Sequence, residues 1–314
     1  MRLASILDLI GKTPLVDVSG LSPVPAVRIL MKLEGQNPGG SVKDRVALSM
    51  VEDAEASGSL GSGATLLEPS SGNTGIALAM VAKVKGYRLK VVMPENVSVE
   101  RRQVLEALGA EILDSPGAEG SNGAVRMAEK VHADHPEWVF LYQYANPANP
   151  RAHYEGTGPE IWADCPEVTH FVAGLGTSGT LLGTGRYLKE QDPAIQVWAV
   201  EPPAGEMVDG LRSLDDGYIP PIFTDFGGSD LLDRKTVIGP RESIEWTRKL
   251  AEVGILAGLS SGCALAGAVR CAEQIGEGVI VTVSADGGWK YLSTGAWTDD
   301  LDVVVERARK MVYF

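Results

Sequence analysis

A single lysine stands where a glycine-rich turn meets a predicted helix. Residues 37–45 (NPGGSVKDR) carry Lys43 into an apolar segment at residues 46–54. A lysine at a helix start meets the positive end of the helix dipole, which lowers the pKa of its amine and makes it a better nucleophile. The alternative interpretation is an ordinary solvated lysine at the beginning of a helix.

Two further loops of small residues each stand directly before a predicted helix. Residues 70–75 (SSGNTG) combine hydroxyl side chains, an amide and glycines, and such a loop at a helix start forms an anion pocket. Helix capping alone would need one serine or asparagine, so the length of the run favours a ligand. Residues 258–262 (GLSSG) have the same form, and there a ligand contact and a simple helix cap are equally supported.

A third loop, at residues 174–179 (GLGTSG), follows a predicted strand and opens a predicted helix. Its backbone N–H groups and the helix dipole would bind an anion. One interpretation is a dinucleotide site, with Glu201 at the end of the next strand holding a ribose. A second is a cradle for a single phosphate, which the hydroxyls of Thr177, Ser178 and Thr180 favour. The third is a structural tight turn.

Short apolar runs alternate with longer amphipathic segments along most of the chain. This alternation predicts an α/β fold with parallel sheets. An irregular connection at residues 146–158 separates two such series. We predict strands at residues 64–68, 89–93, 111–113, 138–142, 169–173, 196–200 and 278–283, and helices at residues 73–85, 99–108, 122–133, 180–191, 242–253 and 264–273.

Composition and charge disfavour several classes of function. The 314 residues are enough for two domains. The net charge is −13 and no basic stretch reverses it locally, so we expect no nucleic-acid partner. No apolar run approaches the ~20 residues that cross a bilayer, so we expect no membrane association.

Cysteine and histidine usage indicates neither a disulfide framework nor a metal site. The three cysteines form no C-x-x-C pair, and the four histidines lack ligand spacing. The first residues (MRLASILDLIGKTPL) have none of the features of a signal peptide. We therefore expect a cytoplasmic protein without a metal, in which Cys165, Cys263 and Cys271 are structural or inert.

Taken together in their order along the chain, residues 37–45, 70–75, 174–179 and 258–262 resemble the loops of the cysteine synthase family of fold-type II pyridoxal-phosphate enzymes. The resemblance extends from residues 11–15 (GKTPL) to residues 291–294 (YLST). It implies two α/β domains with central, mostly parallel sheets, like those of the tryptophan synthase β-subunit, and a homodimer. Residues 1–37 plus 145–314 would form a larger domain that binds the cofactor phosphate. Residues 38–144 would form a smaller, mobile domain that binds the substrate carboxylate.

The resemblance also implies roles for individual residues. Lys43 matches the lysine that forms a Schiff base with pyridoxal 5′-phosphate and then acts as general base. Asn73 matches the hydrogen-bond donor to the 3′-oxygen of the cofactor, and Ser260 matches the hydroxyl that faces the ring nitrogen. The phosphate cradle corresponds to Gly176, Thr177, Ser178, Gly179 and Thr180. The loop that binds the substrate carboxylate corresponds to Ser70, Ser71, Gly72, Asn73 and Thr74.

The residue facing the ring nitrogen bears on the reaction. A serine cannot keep that nitrogen protonated, so a long-lived carbanion is disfavoured and prompt loss of a β-substituent is favoured. The implied reaction is a β-replacement, in which an α-aminoacrylate intermediate accepts a sulfur nucleophile to give L-cysteine. Glu201 then has no ribose to hold. The dinucleotide interpretation, a nicotinamide-dependent oxidoreductase, leaves Lys43 and residues 70–75 unexplained.

The leaving group is indicated by residues 206–218 (EMVDGLRSLDDGY), which contain Arg212. Family members that use acetylserine have a short, uncharged, glycine-rich stretch here, whereas a guanidinium matches the oxygens of a phosphate ester. This stretch resembles the actinobacterial O-phosphoserine sulfhydrylases, as do residues 94–102 (PENVSVERR), 142–144 and 285–295. The expected substrate is therefore O-phospho-L-serine, with Arg212 binding its phosphate.

Other interpretations of this region stay open. Arg212 could be a surface arginine paired with Asp215 or Asp216, which would leave an O-acetylserine-dependent cysteine synthase or another β-replacement synthase of the same family.

In the phosphoserine-using relatives the sulfur donor can be a thiocarboxylated small carrier protein, which makes such a carrier a candidate partner. Their C-terminus can also fold over the active site. The alternatives for residues 303–314 are closure over the active site, packing of a terminal segment at a dimer interface, and fraying of the terminus.

Overall fold

Two β-sheets organise the part of the chain that the computed structural model describes, residues 2–70 and 72–310. The strands are β1 (Leu15–Asp17), β2 (Val27–Leu33), β3 (Thr65–Pro69), β4 (Arg88–Pro94), β5 (Glu111–Ser115), β6 (Val139–Phe140), β7 (His170–Gly174), β8 (Gln196–Glu201), β9 (Arg234–Val237) and β10 (Gly278–Ser284). The helices are α1 (Lys43–Ala56), α2 (Asn73–Lys85), α3 (Val99–Ala107), α4 (Gly120–Asp134), α5 (Ala148–Ala152), α6 (Gly158–Asp164), α7 (Gly179–Gln191), α8 (Pro221–Asp225), α9 (Gly228–Leu231), α10 (Pro240–Glu252), α11 (Leu259–Ile275) and α12 (Leu301–Lys310).

The larger sheet has six strands in the order β1-β2-β10-β7-β8-β9. The first strand is antiparallel to its neighbour, and all the other neighbours are parallel. The strand β10 lies between β2 and β7 and is buried from Ile280 to its end, as the apolar interior of a parallel sheet requires. The segment that follows this strand, residues 285–295, borders the site described below.

The smaller sheet has four parallel strands in the order β5-β4-β3-β6. Successive side chains of a strand point to opposite faces, so each face meets different helices. Leu66 and Val91 pack in a core with α1 and α2, whereas Leu67 and Val92 pack with α4. The strand β3 is buried at every position and ends where residues 70–75 begin.

The predicted α/β class and its parallel sheets are confirmed, and the helix α2 spans the predicted residues 73–85. The prediction of an irregular connection at residues 146–158 is wrong. That segment contains α5, a π-helical turn at His153–Thr157 and the first residue of α6. Pro147 and Pro150 made it look irregular, but they lie at the N-cap and in the first turn of α5, where a missing N–H costs nothing.

One central strand, β2, is hidden in the sequence because Arg28 and Lys32 interrupt its apolar run. Lys32 is nevertheless fully buried. Its ammonium lies 2.9 Å from a carboxylate oxygen of Glu160 and donates to the carbonyl oxygen of Thr13. The sequence patterns also failed to reveal β1, β9, α6, α8, α9 and α12, most of which are short.

The C-terminal helix α12 packs through Val304 and Val305 against Ile244 and Tyr291. Residues 311–314, on which the expectation of a closing C-terminus depends, lie outside the described residues. No helix in the described ranges is long and apolar enough to cross a membrane, and no group of three or more potential metal ligands was found in them.

All three cysteines are buried and free. Burial raises the pKa of Cys165, Cys263 and Cys271. A thiol with a raised pKa stays protonated at neutral pH and is a poor nucleophile, which agrees with the inert role expected for them.

Candidate active site

Two adjoining cavities lie where loops from the carboxyl ends of both sheets come together. The arginine cavity is lined by residues that include Lys43, Ser70, Gly72, Asn73, Thr74, Arg101, Gln143, Tyr144, Asp209 and Arg212. The glycine-loop cavity is lined by residues that include Lys43, Asn73, Gly176, Thr177, Ser178, Thr180, Ser260 and Tyr291. Lys43 and Asn73 line both cavities, so they stand at their junction.

Lys43 is the first residue of α1. Desolvation lowers the pKa of its amine to about 8; the charge of Lys290 adds to the lowering, and Asp286 opposes it. The direction agrees with the sequence prediction, but the main cause is burial rather than the helix dipole. Roughly a tenth of this lysine is therefore unprotonated at pH 7 and about half at pH 8, and the unprotonated amine is the form that attacks a carbonyl carbon.

The turn before Lys43 is held by contacts within residues 37–45. The backbone N–H of Gly39 donates to the carboxylate of Asp44, and the N–H of Lys43 donates to Ser41 Oγ at 3.2 Å. A Cβ on Gly39 would lie 2.6 Å from Asp44 Oδ1, so the close approach requires glycine. Burial raises the pKa of Asp44 to about 7. These contacts position the start of α1 at the junction of the cavities.

The glycine-rich loop between β7 and α7 forms one wall of the glycine-loop cavity. Ser178 is the N-cap of α7 and adopts the left-handed conformation, with a φ of 77°. Thr177 Oγ1 accepts a hydrogen bond from Asn149 Nδ2 at 2.9 Å, and Thr180 Oγ1 lies 3.2 Å from His153 Nε2. Burial lowers the pKa of His153 well below its usual value, so this imidazole is neutral. The hydroxyls of the loop are thus oriented by residues from α5 and the π-helical turn.

This loop fits a phosphate group. Ser178 Oγ is buried and has no hydrogen-bond partner among the described residues. The N-terminus of α7, a 13-residue helix, adds N–H donors and the positive end of a dipole. A Cβ on Gly176 would lie 2.4 Å from the carbonyl oxygen of Gly210, and one on Gly179 would lie 1.9 Å from Asn149 Oδ1. Backbone therefore approaches closely where the sequence predicted a cradle.

Ser260 and Asn73 line other walls of the glycine-loop cavity. Ser260 is buried in the first turn of α11. Asn73, the first residue of α2, donates from Nδ2 to Asp286 Oδ2 at 2.7 Å and accepts at Oδ1 from Lys290 Nζ at 2.7 Å. The cavity is thus surrounded by the groups that would hold pyridoxal phosphate, namely a lysine amine, a phosphate cradle, a hydroxyl and an amide.

Ser70 contacts the start of α2 and also lines a cavity. Its Oγ accepts hydrogen bonds from the N–H of Gly72, the N-cap of that helix, at 3.3 Å and from the N–H of Gly75 at 3.0 Å. Ser70 and Gly72 also line the arginine cavity beside Lys43. Ser71, which the sequence analysis places in the carboxylate-binding loop, lies outside the described residues.

Gln143 joins this loop, although the sequence patterns assign it no role. Its Oε1 accepts a hydrogen bond from Thr74 Oγ1 at 2.7 Å, and its Nε2 donates to the carbonyl oxygen of Pro69 at 3.4 Å. Its backbone N–H donates to Glu68, a carboxyl whose pKa burial raises to about 8. Gln143 follows β6, so its position just beyond the end of a parallel strand is the signal that could have found it.

A buried ion pair also lines the arginine cavity. Arg101, on α3, pairs with Asp209, and its guanidinium carbon lies 5.0 Å from the ring centroid of Tyr291. Sequence reasoning includes Arg101 and Asp209 only within residues 94–102 and 206–218. They are 108 positions apart in the chain, and no local pattern relates them.

Arg212 lines the same cavity as Lys43. Its guanidinium donates to Asn122 Oδ1 at 3.1 Å and to the Tyr144 hydroxyl at 3.3 Å. It also lies 4.9 Å and 5.0 Å from the ring centroids of Tyr144 and Tyr218. Two rings and two hydrogen bonds thus restrict the orientation of this cation at the cavity.

Three carboxylates that the sequence analysis considered, Asp215, Asp216 and Glu201, each contact partners other than Arg212. Asp215 Oδ2 lies 3.3 Å from Lys235 Nζ, and Asp216 Oδ1 accepts a backbone N–H at 2.8 Å. Glu201 is fully buried, with one carboxylate oxygen 2.7 Å from Lys235 Nζ and the other accepting a backbone N–H at 2.9 Å. The carboxylate that a dinucleotide site would need is therefore engaged inside the protein.

Comparisons with known proteins agree with this geometry. The family described as "Pyridoxal-phosphate dependent enzyme" matches residues 6–286. Cysteine synthase B of Pseudomonas aeruginosa is 43% identical over 295 residues, which cover 93% of this chain and 97% of that protein. Cysteine synthase B of Escherichia coli is 42% identical over 300 residues, covering 95% and 97%.

Solved structures resemble the whole chain as well. The structure of an O-ureido-L-serine synthase superposes with a TM-score of 0.88 at 39% identity, covering 95% of this chain and 96% of that one. A cysteine synthase from Entamoeba histolytica gives a TM-score of 0.88 at 34% identity, covering 98% and 96%. The chain therefore belongs to the cysteine synthase family of fold-type II pyridoxal-phosphate enzymes. Its cofactor is pyridoxal 5′-phosphate.

Replacing Gly176 by alanine is expected to weaken cofactor binding roughly five- to 150-fold. The added Cβ would meet the carbonyl oxygen of Gly210 at 2.4 Å, and overpacking of this kind costs about 1–3 kcal/mol. The measurement is a titration of the apoprotein with pyridoxal phosphate, followed by absorbance. Gly61→Ala is the control, because a Cβ there meets nothing within 4 Å. Equal affinities for both variants would show that the loop does not form the cradle.

The rate at which the apoprotein takes up pyridoxal phosphate is expected to rise with pH, to reach half its maximum near pH 8 and to level off about one unit higher. Burial lowers the pKa of Lys43 to about 8, and the free amine is the reactive form, so the rate follows the unprotonated fraction. Because the Asp286 charge raises this pKa, Asp286→Asn should move the midpoint to lower pH. Stopped-flow absorbance across pH 6–10 tests this, and a midpoint near that of an ordinary exposed lysine would contradict it.

Proposed function

We propose that this protein catalyses β-replacement on O-phospho-L-serine, forming L-cysteine with a sulfur donor. Its membership of the cysteine synthase family rests on the comparisons above. The choice of a phosphate leaving group rests on one observation, the Arg212 guanidinium in the cavity that Lys43 also lines. A fixed, permanently charged fork suits a phosphate ester, whereas an acetyl ester offers it no charge to bind.

Residues of this chain would share the work as follows. Bound pyridoxal phosphate supplies an electron-withdrawing ring that stabilises negative charge at the α-carbon of an amino acid. The glycine loop and α7 would hold its phosphate, and the neutral Ser260 hydroxyl would face its ring nitrogen. Residues 70–75 and Gln143 would bind the substrate carboxylate through N–H, hydroxyl and amide groups.

Lys43 would move the proton. Its amine, with a pKa of about 8, would take the α-proton as general base. The bond between the β-carbon and the ester oxygen would break, and its electron pair would leave with the phosphate held by Arg212. A sulfur nucleophile would then supply the pair for the new carbon–sulfur bond, and Lys43 would return the proton to the α-carbon.

Four expectations about assembly, location, sulfur donor and domain movement remain predictions. They are a homodimer, a cytoplasmic location, a thiocarboxylated carrier protein as sulfur donor, and closure of residues 38–144 over the substrate. Closure would exclude water from the reacting groups, which is the usual benefit of domain movement in such sites. The nicotinamide-dependent alternative is not proposed further, because the family's cofactor is pyridoxal phosphate.

The test is a comparison of kcat/KM for O-phospho-L-serine and O-acetyl-L-serine with sulfide as the common nucleophile. We expect the phosphate ester to be preferred by at least tenfold. A preference for the acetyl ester would keep the reaction class and overturn the phosphate assignment. It would favour the alternative that the chain is an O-acetylserine-dependent synthase or another β-replacement synthase of the family.

A further inference from the structure

A buried lysine that the reaction above does not use lies beside the cofactor cavity. Lys290 is fully buried and follows β10 in the segment of residues 285–295. Its Nζ donates to Asn73 Oδ1 at 2.7 Å and to the carbonyl oxygen of Gly40 at 3.0 Å. Burying an ammonium group costs desolvation free energy, so its presence at this position indicates a compensating role.

The groups around Asn73 determine which way its amide points. An ammonium only donates hydrogen bonds, so the atom that contacts Lys290 must be the amide oxygen. A carboxylate only accepts, so the atom that contacts Asp286 Oδ2 at 2.7 Å must be the amide nitrogen. The two constraints act on opposite sides of one amide and agree. The carboxylate is itself held by the Tyr291 hydroxyl at 2.6 Å.

This orientation has a chemical consequence at the cavity. One N–H of Asn73 Nδ2 is used by Asp286, and the amide nitrogen carries a second N–H. With Lys290 in place, the group that Asn73 presents to an oxygen atom of a ligand is this second N–H and not the amide oxygen. A flipped amide would place a carbonyl oxygen against the carboxylate of Asp286, which is repulsive.

We propose that Lys290 is a positioning residue, which holds the Asn73 amide with its N–H toward the cofactor. The inference rests on the proposed function and on the role that the family resemblance implies for Asn73, which is donation to the 3′-oxygen of the cofactor ring. Lys290 does not touch the reacting atoms, and it acts through Asn73 in addition to the effect of its charge on the pKa of Lys43. The competing explanation is structural, since the contact with Gly40 also ties down the turn before Lys43.

A double-mutant cycle separates these two explanations. The variants are Lys290→Met, Asn73→Ala and the combination, each examined as holoenzyme by visible absorption and by a pyridoxal phosphate titration. We expect both single variants to shift the cofactor absorption maximum in the same direction and to raise Kd roughly three- to tenfold, the loss of about one hydrogen bond. In the Asn73→Ala background, Lys290→Met should leave the absorption maximum in place and change Kd by less than about twofold.

Lys32→Met is the matched control, because Lys32 is also fully buried and lines neither cavity. It should lower the melting temperature without moving the absorption maximum. Lys290→Arg, which keeps a donor-only cation, should lie closer to the wild-type spectrum than Lys290→Met. If Lys290→Met does not fold, Lys290→Gln replaces it, since a glutamine fills similar space but can present an oxygen as readily as an N–H.

The outcomes are distinguishable. Additive effects of Lys290→Met and Asn73→Ala, or an unmoved spectrum in Lys290→Met beside a shifted one in Asn73→Ala, would overturn the positioning role and leave the proposed function intact. An unmoved spectrum in Asn73→Ala would overturn the cofactor contact that the resemblance implies for Asn73, and the inference about Lys290 with it.

Discussion

Lys43→Ala is expected to lower kcat by at least about 10⁴-fold and to remove the visible absorption band of the lysine-bound cofactor. The variant loses both the amine that bonds to pyridoxal phosphate and the general base, and a positioned base alone contributes about 10²–10⁴-fold. Cofactor binding itself should persist, because the glycine loop and α7 still hold the phosphate. The measurements are steady-state turnover with sulfide and the absorption spectrum after gel filtration.

Lys83→Ala is the control for this prediction, since Lys83 is an exposed lysine on α2 and lines neither cavity. It should match the wild type in both measurements. A small primary amine added to Lys43→Ala should restore part of the turnover, because it can accept the α-proton in place of the side chain. Turnover within tenfold of wild type in Lys43→Ala would contradict the role given to this lysine.

Arg212→Ala is expected to lower kcat/KM for O-phospho-L-serine by roughly 10- to 150-fold. A hydrogen bond to a charged group is worth about 1.5–3 kcal/mol, and each 1.4 kcal/mol is tenfold. For O-acetyl-L-serine the change should stay within about threefold, because that substrate presents no phosphate to the guanidinium. The ratio of the two kcat/KM values therefore measures phosphate recognition separately from any general damage.

Arg212→Lys should lie between the wild type and Arg212→Ala, because a lysine keeps the charge but loses the planar fork. The control is Arg28→Ala on β2, whose side chain is half exposed and pairs with Glu167 at 2.9 Å. Equal losses on both substrates in Arg212→Ala would mean that Arg212 supports the structure of the cavity rather than binding the phosphate.

The sequence predicts the parts of the site that are local in the chain. The turn before Lys43, residues 70–75 and residues 174–179 each combine special backbone with polar side chains within a few positions, so their chemistry shows in the residue types alone. The alternation of strands and helices predicts the parallel sheets for the same reason, because the apolar pattern repeats within each element.

The parts that the sequence does not reveal depend on distant elements. Asp286 and Lys290 reach Asn73 across more than 200 positions, and Gln143 reaches Thr74 across 69. The pKa of Lys43 is lowered mainly by burial, which no local pattern encodes.

Residue composition also gives a wrong secondary-structure prediction where the position of a residue within the helix or strand determines whether it is tolerated. The two prolines of residues 147–150 suggest an irregular loop, yet both lie where a helix tolerates them. The buried charge of Lys32 hides the strand β2, because its partner Glu160 comes from α6, far along the chain. Compensation of this kind appears only once the chain is folded.

The most direct test of the central claim is the visible absorption of the holoenzyme during a single turnover with O-phospho-L-serine and no sulfur donor, with free phosphate measured in parallel. We predict a band of the lysine-bound cofactor that is replaced on adding the substrate, with release of one phosphate per active site and a slower change with O-acetyl-L-serine. An unchanged band and no phosphate release, beside a rapid response to the acetyl ester, would contradict the account.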